Sequence, residues 1–346
     1  MTSGGLRIEH DVPLAPRTTL GVGGPARRFA RVHDVAELRA ALAEATAAGD
    51  RVLVLGGGSN LVVTDAGWDG LALQLADDRV TLAADGAVTA AAGASWDALV
   101  ARAVEAGLAG VECLSGIPGL VGATPMQNVG AYGQEVSDTI AEVHVLDRET
   151  GAVGVLPGAA CGFGYRTSVF RGSARWIVLE VRFRLVPSAV SGPIRYAELA
   201  RALGIGEGEG APLADVRHTV IALRRGKGMV VDPADPDSRS AGSFFTNPLL
   251  GPDALVAALA RTGADLPRWP QPDGTTKVSA AWLIERAGFP KGTARGRVGI
   301  SHKHALALVN LGDATASELL ALADEIVAGV HARFGVTLER EPILVR

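Results

Sequence analysis

The sequence contains only two cysteines in 346 residues, Cys113 and Cys161. A long chain with so few cysteines does not rest on a disulfide scaffold, and such sparse use is typical of a reducing compartment. Neither cysteine has a metal-ligand partner at a useful spacing. The cysteine count therefore favours an intracellular protein without a structural metal site.

Long apolar runs and a strong charge imbalance are also absent. No stretch approaches the roughly 20 apolar residues that cross a membrane, and residues 1–11 lack the apolar core of a secretory signal. The net charge of -4 disfavours nucleic acid or an anionic membrane as a partner. We therefore expect a cytoplasmic protein with no nucleic-acid partner and no membrane insertion. No obligate protein partner is predicted.

Glycine, by contrast, is abundant, with 44 residues or nearly twice the usual share. The glycines cluster at 54–60, 107–133 and 151–172 without a period, which excludes a collagen-like chain. Such clusters allow tight turns and close approach of the backbone to a ligand. A general tolerance for small residues is the alternative explanation, and the first two clusters favour the ligand.

The length and the order of patterns predict more than one domain. A single core stops growing at roughly 250–300 residues, so two or three domains are expected. An N-terminal half of strands and glycine turns ends near Pro187–Pro193, and a region of different pattern follows. The predicted fold class is α+β.

Cap residues and hydrophobic periodicity predict the individual elements. Asp34 and Glu37 open a helix that Gly49 ends, and Ser95 opens a second at roughly 96–106. Asp85-Gly86 joins two strands as a hairpin. The predicted strands are 51–55 (buried), 71–75, 80–82, 88–92, 142–147, 153–156, 176–185, 218–223 and 305–310, and the remaining helices are 253–261, 280–287 and 317–334.

The first candidate site is the glycine segment that directly follows the strand at 51–55. Successive backbone N–H groups in such a turn can form a nest for a pyrophosphate. The segment is not GxGxxG and no helix follows it, which disfavours a dinucleotide site of the Rossmann type. A plain turn is the alternative. The candidate cofactor residues are Gly56, Gly57, Gly58, Ser59 and Asn60.

The second candidate site is the long segment 116–133, which has little periodicity. Loops of this length are usually functional or disordered, and this one is too apolar for a free linker. Its small residues let the backbone lie against a ligand, while Gln127 and Asn128 can bind the polar edge of a ring. A buried irregular connection is the alternative. The candidate cofactor residues are Gly116, Gly119, Gly122, Ala123, Gln127, Asn128, Gly130, Ala131, Tyr132 and Gly133.

Two further segments contain residues suited to catalysis. Arg166 lies beside Tyr165 and near glycines, and its guanidinium can bind a carboxylate with two N–H groups. An ordinary surface arginine is the alternative. Ser243 lies between a glycine and two phenylalanines, without the Gly-x-Ser-x-Gly pattern of a hydrolase. It is therefore either a proton donor or a turn residue.

Glutamates and histidines provide weaker signals. Glu339 and Glu341 lie close to the C-terminus, where paired glutamates are usually solvated. His302 and His304 could share a metal on a strand, but no carboxylate or cysteine completes the set. No metal site is predicted.

Six motifs, in order along nearly the whole chain, resemble those of the UDP-N-acetylenolpyruvoylglucosamine reductase family. They are Arg17–Ala26, Gly56–Asn60, Gly116–Gly133, Tyr165-Arg166, Gly242–Pro248 and Leu338–Glu341. The resemblance implies a two-lobed FAD-binding fold of the vanillyl-alcohol-oxidase (PCMH) type, followed by a smaller α+β substrate-binding domain. The implied boundaries are 1–78 for the first lobe with the tail 338–346 returning to it, 79–188 for the second lobe, and 189–337 for the UDP-sugar domain.

The resemblance also implies a cofactor and a reaction. FAD would bind non-covalently, with its pyrophosphate on Gly56–Asn60 and other contacts from 116–133. NADPH would be the reductant for converting UDP-N-acetylglucosamine enolpyruvate to UDP-N-acetylmuramate, in peptidoglycan precursor synthesis. A hydride would pass from flavin N5 to the vinyl carbon, and a proton from Ser243 to the alpha carbon.

Further roles follow from position in the motifs. Arg166 and Glu341 would polarise the substrate carboxylate, with Glu341 carrying a proton when substrate is bound. Tyr196 would close over the nucleotide-sugar. The other implied substrate contacts are Lys227, Asn247, Lys291 and His304.

Two rival functions compete with this one. A flavin oxidase or dehydrogenase of the same fold, acting on an alcohol or sugar, would share the glycine segments. It has no need of the Ser243 motif together with Tyr196 and Glu341. A flavin-binding or nucleotide-sugar-binding module without turnover would need no proton donor at all.

Overall fold

The computed structural model describes residues 6–263 and 265–346, which form two compact units. The first unit contains the described residues up to Asp11, Arg27–Gly57 and Asp69–Arg225. The second contains Val12–Ala26, Gly58–Trp68 and Gly226–Arg346. Residues 1–5, which form part of the segment tested for a secretory signal, lie outside the described residues. Within the described ranges, no helix is both long enough and apolar enough to span a bilayer.

Helices and strands alternate with long irregular segments in both units. The helices are α1 (Val35–Ala48), α2 (Trp96–Glu105), α3 (Ala197–Leu203), α4 (Leu213–Gly226), α5 (Pro252–Thr262), α6 (Ala280–Arg286) and α7 (Ala316–Phe334). The strands of the first half are β1 (Ile8–Pro13), β2 (Pro25–Val32), β3 (Arg51–Val54), β4 (Leu61–Val63), β5 (Trp68–Leu75), β6 (Val80–Leu82), β7 (Ala87–Ala91), β8 (Leu108–Ala109), β9 (Gly130–Ala131), β10 (Gln134–Glu135), β11 (Ile140–Asp147) and β12 (Val153–Pro157). Those of the second half are β13 (Trp176–Arg184), β14 (Val186–Pro187), β15 (Leu249–Leu250), β16 (Arg268–Pro270), β17 (Thr276–Val278), β18 (Ala294–Arg295), β19 (Val298–Ile300), β20 (Leu308–Asn310) and β21 (Ile343–Val345).

The helix predicted from its cap residues is α1. The side chain of Asp34 accepts a hydrogen bond from the Glu37 N–H, while the Glu37 carboxylate accepts one from the His33 N–H. Gly49 ends the helix in the left-handed conformation at φ 67. Leu38 and Ala41 face a sheet in the order β1-β2-β5-β3. The local cap pattern is therefore sufficient to define this helix.

The strand predicted at 51–55 forms β3, but its prediction as buried is wrong. Among the described strands, β3 lies at the edge of the sheet and pairs in parallel with β5 alone. Arg51 and Val54 are exposed, and only Leu55, just beyond the strand, is buried. An apolar run of this length does not distinguish a central strand from an edge strand covered on one face.

The second sheet of the first unit has the order β12-β11-β13-β7-β6. β6 and β7 form the predicted hairpin, with Gly86 of the turn at φ 86. Ser95 caps α2 by accepting from the Ala98 N–H. Trp96 of α2 packs 5.9 Å from Phe183 in the core beneath this sheet, and its indole N–H donates to the Leu114 carbonyl. The sheet and α2 thus share a buried core that Val121 of the following segment joins.

The strand predicted at 218–223 is wrong, because these residues lie within α4. Leu213, Val216 and Val220 are the buried apolar residues of this helix, and Val216 and Val220 pack with Cys113 and Ile194 in the first unit. This packing groups residues up to 225 with the first unit. The three-part division at 78, 188 and 337 stays a prediction.

The second unit is built around α7. Thr315 and Glu318 form a reciprocal capping box at its start, one residue before the predicted position. Its apolar face packs with α6, with strands β19 and β20, and with Phe244 and Phe245. The strand predicted at 305–310 is limited to β20. β21 pairs in parallel with β4, so the C-terminal strand joins residues from early in the chain.

Asp65 ties the loop after β4 to the start of α7. Its carboxylate accepts hydrogen bonds from the N–H groups of Ala316 at 2.7 Å and Ser317 at 3.0 Å. Burial alone would raise the pKa of Asp65, but hydrogen bonds from Ser317 and Ala316 outweigh it and hold the pKa below the ordinary value of 3.8. The charged form therefore stabilises the fold near neutral pH, and its contribution is lost as the pH falls through the lowered pKa.

We expect Asp65→Asn to lower the free energy of unfolding by about 1 kcal/mol at pH 7. The difference from the unchanged chain should shrink as the pH falls below 3.8, measured by denaturant unfolding between pH 7 and pH 3. Asp253→Asn is the control, because Asp253 lies in the first turn of α5 and hydrogen-bonds to none of the described residues. An equal loss of unfolding free energy in the two variants would mean that the hydrogen bonds of Asp65 add no stability beyond that of a negative charge at the start of a helix.

Candidate functional site

Gly56 and Gly57, the start of the first glycine segment, lie against the second glycine segment within the first unit. A Cβ built on Gly57 would lie 2.7 Å from the Cα of Gly119. One built on Gly56 would lie 3.4 Å from the Cβ of Ala123. Any side chain at Gly57 would push the segments apart, so glycine is required there by close backbone approach.

The rest of the first segment, in the second unit, has backbone geometry suited to an anion. Gly58 has a left-handed φ of 62, and a Cβ there would lie 2.0 Å from the Arg17 carbonyl oxygen. The carbonyls of Gly58 and Asn60 accept hydrogen bonds from the N–H groups of Thr19 and Ile343. Within the described ranges, the N–H groups of Gly58 and Ser59 donate to no protein acceptor. The carbonyl groups of this segment are therefore bound to the protein, while the N–H groups of Gly58 and Ser59 can donate to a pyrophosphate.

The start of segment 116–133 is anchored by a charged network in the first unit. Asp97 accepts a hydrogen bond from the Gly116 N–H at 2.6 Å and a two-pronged contact from Arg217 at 2.7 and 3.0 Å. Burial alone would raise the pKa of Asp97, but the bonds from Arg217 and Gly116 outweigh it and lower the pKa. Further along, a Cβ on Gly122 would lie 2.5 Å from the Cβ of Ala92. The segment is thus held against the end of β7.

Asn128, a predicted cofactor contact, is the centre of a second network. It is buried at φ 48, a backbone conformation that non-glycine residues adopt rarely. Its amide nitrogen donates to Glu135 at 2.7 Å and to the Gly164 carbonyl at 3.2 Å, and its amide oxygen accepts from the Ser137 N–H at 3.1 Å. Asn128 therefore joins the second glycine segment to the turn that carries Arg166.

Arg166 occupies a constrained position in that turn. Gly164 and Thr167 exchange backbone hydrogen bonds at 3.2 Å, which places Arg166 at a turn corner with φ 53. Its guanidinium donates to the Gly130 carbonyl at 3.1 Å and lies 5.7 Å from the centre of the Tyr165 ring. A non-glycine residue held at positive φ costs of order 1 kcal/mol, and such strain is typical of functional sites.

Tyr132 and Tyr196 are also brought together in the first unit. Their rings meet edge to face with centroids 5.3 Å apart. Tyr132 has φ 50, and Tyr196 is largely exposed just before α3. Nearby, burial lowers the pKa of Arg224 to about 10, with Tyr132 and Asp97 opposing the shift. At this value the guanidinium keeps its charge at neutral pH.

Ser243 and Glu341 are brought together within the second unit. The Phe244 carbonyl accepts a hydrogen bond from the Glu341 N–H at 3.0 Å, and Phe245 bridges to Arg340. The amide nitrogen of Asn60 approaches the Glu341 carbonyl at 3.4 Å. Backbone hydrogen bonds therefore place the predicted proton donor, the predicted carboxylic acid and the end of the first glycine segment side by side.

The four other predicted substrate contacts also lie in the second unit but have different settings. Lys227 directly follows α4 and is half-buried. His304 lies in a turn where its N–H donates to the Ser301 hydroxyl at 3.2 Å. Asn247 uses its amide oxygen to accept from the Ala280 N–H at the start of α6, at 3.0 Å. Lys291 is exposed in the loop after α6.

Several supporting residues were not predicted. Asp97 and Arg217 are 120 positions apart, and Glu135 meets Asn128 only through the β9–β10 hairpin. Asp97 is two residues after a helix cap, a pattern that predicts the helix start and not a salt bridge. Long-range charge pairs of this kind have no local signature.

Comparisons with known proteins found matches to residues in both units. A sequence profile described as the C-terminal domain of UDP-N-acetylenolpyruvoylglucosamine reductase matches residues 233–345, and one described as an FAD binding domain matches residues 26–156. The reductase of Thermobifida fusca is 55% identical over 351 residues, covering 97% of this chain and 97% of that protein. This chain belongs to the UDP-N-acetylenolpyruvoylglucosamine reductase family.

Other members of the reductase family match over similar lengths. The reductase of Streptomyces coelicolor is 53% identical and covers 97% of this chain and 90% of that protein. The crystal structure of the reductase from Thermus caldophilus is similar with a TM-score of 0.69 and 30% identity, covering 99% of this chain and all of that one.

Membership of the reductase family confirms the resemblance drawn from the six motifs. It also confirms the predicted fold class, an α+β chain with an FAD-binding domain followed by a C-terminal domain of this family. As a member with an FAD-binding domain, the chain is an oxidoreductase. The roles of the individual residues stay predictions.

We expect Gly58→Ala to weaken FAD binding at least tenfold, because the new Cβ would collide with the Arg17 carbonyl and displace the segment. FAD content after gel filtration and fluorescence titration of the apoprotein measure the effect. Gly151→Ala is the matched control, since Gly151 has a similar φ of 70 but nothing within 4 Å of the added Cβ. Equal FAD affinity in the two variants would remove Gly58 from the cofactor site.

Proposed function

We propose that this chain reduces UDP-N-acetylglucosamine enolpyruvate to UDP-N-acetylmuramate, with NADPH as the reductant and FAD as a non-covalently bound cofactor. The observation that carries the proposal lies in the second unit, where the Glu341 N–H binds the Phe244 carbonyl beside Ser243 at 3.0 Å. A donor and an acid on adjoining backbones suit a reaction that protonates carbon next to a carboxylate. The name of the Thermobifida fusca relative supports the same substrate.

The residues of the glycine segments fit FAD. When bound, FAD supplies a ring that accepts a hydride and passes it on. The N–H groups of Gly58 and Ser59 would hold the pyrophosphate. A covalent link would need a reactive side chain, and Gly56–Asn60 contains no histidine or cysteine. Burial raises the pKa of Cys113 to about 12 and that of Cys161 to about 11, so both stay thiols at neutral pH.

Arg166 would bind the substrate carboxylate. An enol ether accepts a hydride at its vinyl carbon because conjugation spreads the resulting negative charge onto the carboxylate oxygens. A guanidinium keeps its charge at neutral pH and presents two parallel N–H groups to those oxygens. The turn at φ 53 and the bond to the Gly130 carbonyl would fix the guanidinium before substrate arrives, which favours charge stabilisation.

Ser243 would protonate the alpha carbon, and Glu341 would bind the carboxylate in its protonated form. A hydroxyl is a weak acid, but a carbon that carries developing negative charge is basic enough to take its proton. An ionised Glu341 would repel the substrate carboxylate, whereas the protonated form donates a hydrogen bond. The residues proposed to contact the UDP-sugar are Tyr196, Lys227, Asn247, Lys291 and His304.

We propose the remaining assignments on the same basis. Region 189–337 would supply most of the UDP-sugar contacts. The cytoplasm would be the location, a reducing compartment where Cys113 and Cys161 stay unpaired.

The visible spectrum of the purified protein under anaerobic conditions tests the proposal. A flavin band should bleach with NADPH and return only when the enol ether is added. A protein that binds no flavin even when FAD is supplied would contradict the proposal. Flavin that bleaches but recovers only in air would favour the rival oxidase, and bleaching with NADH but not NADPH would change the reductant alone.

A further inference from the structure

Two side chains organise the turn that contains His304. Asp237 accepts a hydrogen bond from the His302 N–H at 3.0 Å. The hydroxyl of the fully buried Ser301 accepts from the N–H groups of Lys303 at 3.0 Å and His304 at 3.2 Å. Three successive N–H groups are thus bound by side chains instead of backbone carbonyls, so the shape of this turn depends on Asp237 and Ser301.

Asp237 also supports the segment that begins at Lys227. Gly228 has a left-handed φ of 66, and a Cβ there would lie 3.0 Å from both the Cβ and the carbonyl oxygen of Asp237. Asp237 is only 7% exposed. The backbone directly after Lys227 therefore lies against Asp237, which contacts both this segment and the His302 turn.

The chain between Asp237 and Ser243 continues along the strand that follows the turn. The Arg239 carbonyl accepts from the Asn310 N–H at 3.0 Å, and Ser240 bridges to Val309. The Phe244 N–H then donates to the Leu306 carbonyl at 2.7 Å. The backbone between Asp237 and Ser243 is therefore held to this strand by its own hydrogen bonds, so loss of the Asp237 side chain should leave Ser243 in place.

A salt bridge lies beside Asp237 and connects residue 235 to the His302 turn. Lys303 pairs with Asp235 at 2.7 Å, and Asp235 accepts from the Asp237 N–H at 3.1 Å. The opposite charges draw the loop onto the same turn that Asp237 anchors. The exposed salt bridge of Asp235 with Lys303 and the buried hydrogen bond of Asp237 with the His302 N–H therefore both hold residues 235–237 against this turn.

We infer that Asp237 is a positioning residue for the nucleotide-sugar, one that sets Lys227 and His304 relative to each other through the His302 N–H. The inference rests on the proposed function, since it takes Lys227 and His304 as contacts to the UDP part. Asp237 itself touches neither the reacting carbon nor the cofactor in this role.

The test uses the full-length holoenzyme and rapid anaerobic mixing of the NADPH-reduced protein with the enol ether. Asp237→Ala should raise the half-saturating concentration of the enol ether at least tenfold. The rate at saturation and the rate of flavin reduction by NADPH should each stay within about threefold. Asp237→Asn keeps an oxygen for the His302 N–H and should restore most of the affinity, a rescue that a charge requirement would not allow.

Asp232→Ala is the matched control, because Asp232 is exposed in the same loop and, among the described residues, its carboxylate accepts a hydrogen bond only from the Ala234 N–H. It should leave the half-saturating concentration within twofold. Ser301→Ala, which frees the N–H groups of Lys303 and His304, should raise that concentration as Asp237→Ala does, and it serves where Asp237→Ala does not fold.

Three outcomes would overturn the inference. The first is an unchanged half-saturating concentration of the enol ether in Asp237→Ala. If Asp237→Ala does not fold, the same result in Ser301→Ala would overturn the inference. An equal fall in affinity, saturated rate and flavin reduction would mean general damage. A wild type whose reduced flavin does not react with the enol ether would remove the proposed function and this role with it, whereas a reactive wild type matched by Asp237→Ala would remove the positioning role alone.

Discussion

Replacing Ser243 by alanine is expected to slow reoxidation of the reduced flavin by the enol ether at least about 100-fold, the usual scale for loss of a general acid. Flavin reduction by NADPH should stay within about twofold, because that step needs no proton at the alpha carbon. Ser243 lies where the Phe244 carbonyl binds the Glu341 N–H, so the substitution removes a hydroxyl without removing a backbone contact. Anaerobic stopped-flow absorbance of each half-reaction measures both rates.

A cysteine variant at the same position separates proton donation from packing. Ser243→Cys keeps a donor of similar size and should recover part of the lost rate. The solvent isotope effect on reoxidation should persist in Ser243→Cys and change in Ser243→Ala. If Ser243→Ala reacts with the enol ether as fast as the unchanged chain, another group donates the proton.

Arg166→Lys is expected to lower the rate of the same half-reaction by about 10²–10³-fold, as removal of a charge-stabilising donor does. Lysine keeps the positive charge but cannot present two parallel N–H groups, and it loses the bond to the Gly130 carbonyl. Arg184→Lys is the matched control, since Arg184 is an exposed arginine paired with Asp85 in the same unit. The control should keep the rate within about twofold.

The strained backbone at Arg166 offers an independent check. Arg166→Gly should lower the rate of reoxidation by the enol ether at least as much as Arg166→Lys does. Its free energy of unfolding should change by no more than about 1 kcal/mol. Glycine relieves the cost of φ 53, which offsets the lost hydrogen bond. A large loss of stability in Arg166→Gly would mean that the side chain serves the fold more than the reaction.

Local patterns predicted those parts of the fold that local forces determine. Caps at Asp34 and Ser95 and the Asp-Gly turn at 85–86 each depend on residues within a few positions, and each element is present. The strand predicted at 218–223 failed because a short apolar run carries no period. Its helical face became clear only from the burial of Val216 and Val220.

The candidate site divides in the same way. Glycine clusters predicted where the backbone approaches closely, and the contact of Gly57 with Gly119 agrees with that. The placement of Glu341 beside the Ser243 segment depends on residues about a hundred positions apart, and the resemblance to a family alone suggested it. Asp237 and the protein contacts of Asn128 had no signal, because their partners come from distant segments.

The parallel pairing of β21 with β4 has a consequence for biosynthesis. Asn60 and its partner Glu341 are 281 positions apart, and chains grow at about 5–20 residues per second. The segment that starts at Gly58 therefore waits roughly 15–60 seconds on the ribosome before its final backbone partners exist. Most of the first unit can fold during that interval, while the second unit closes last. Loading of FAD at the proposed site, Gly58 and Ser59, would thus be a late, largely post-translational event.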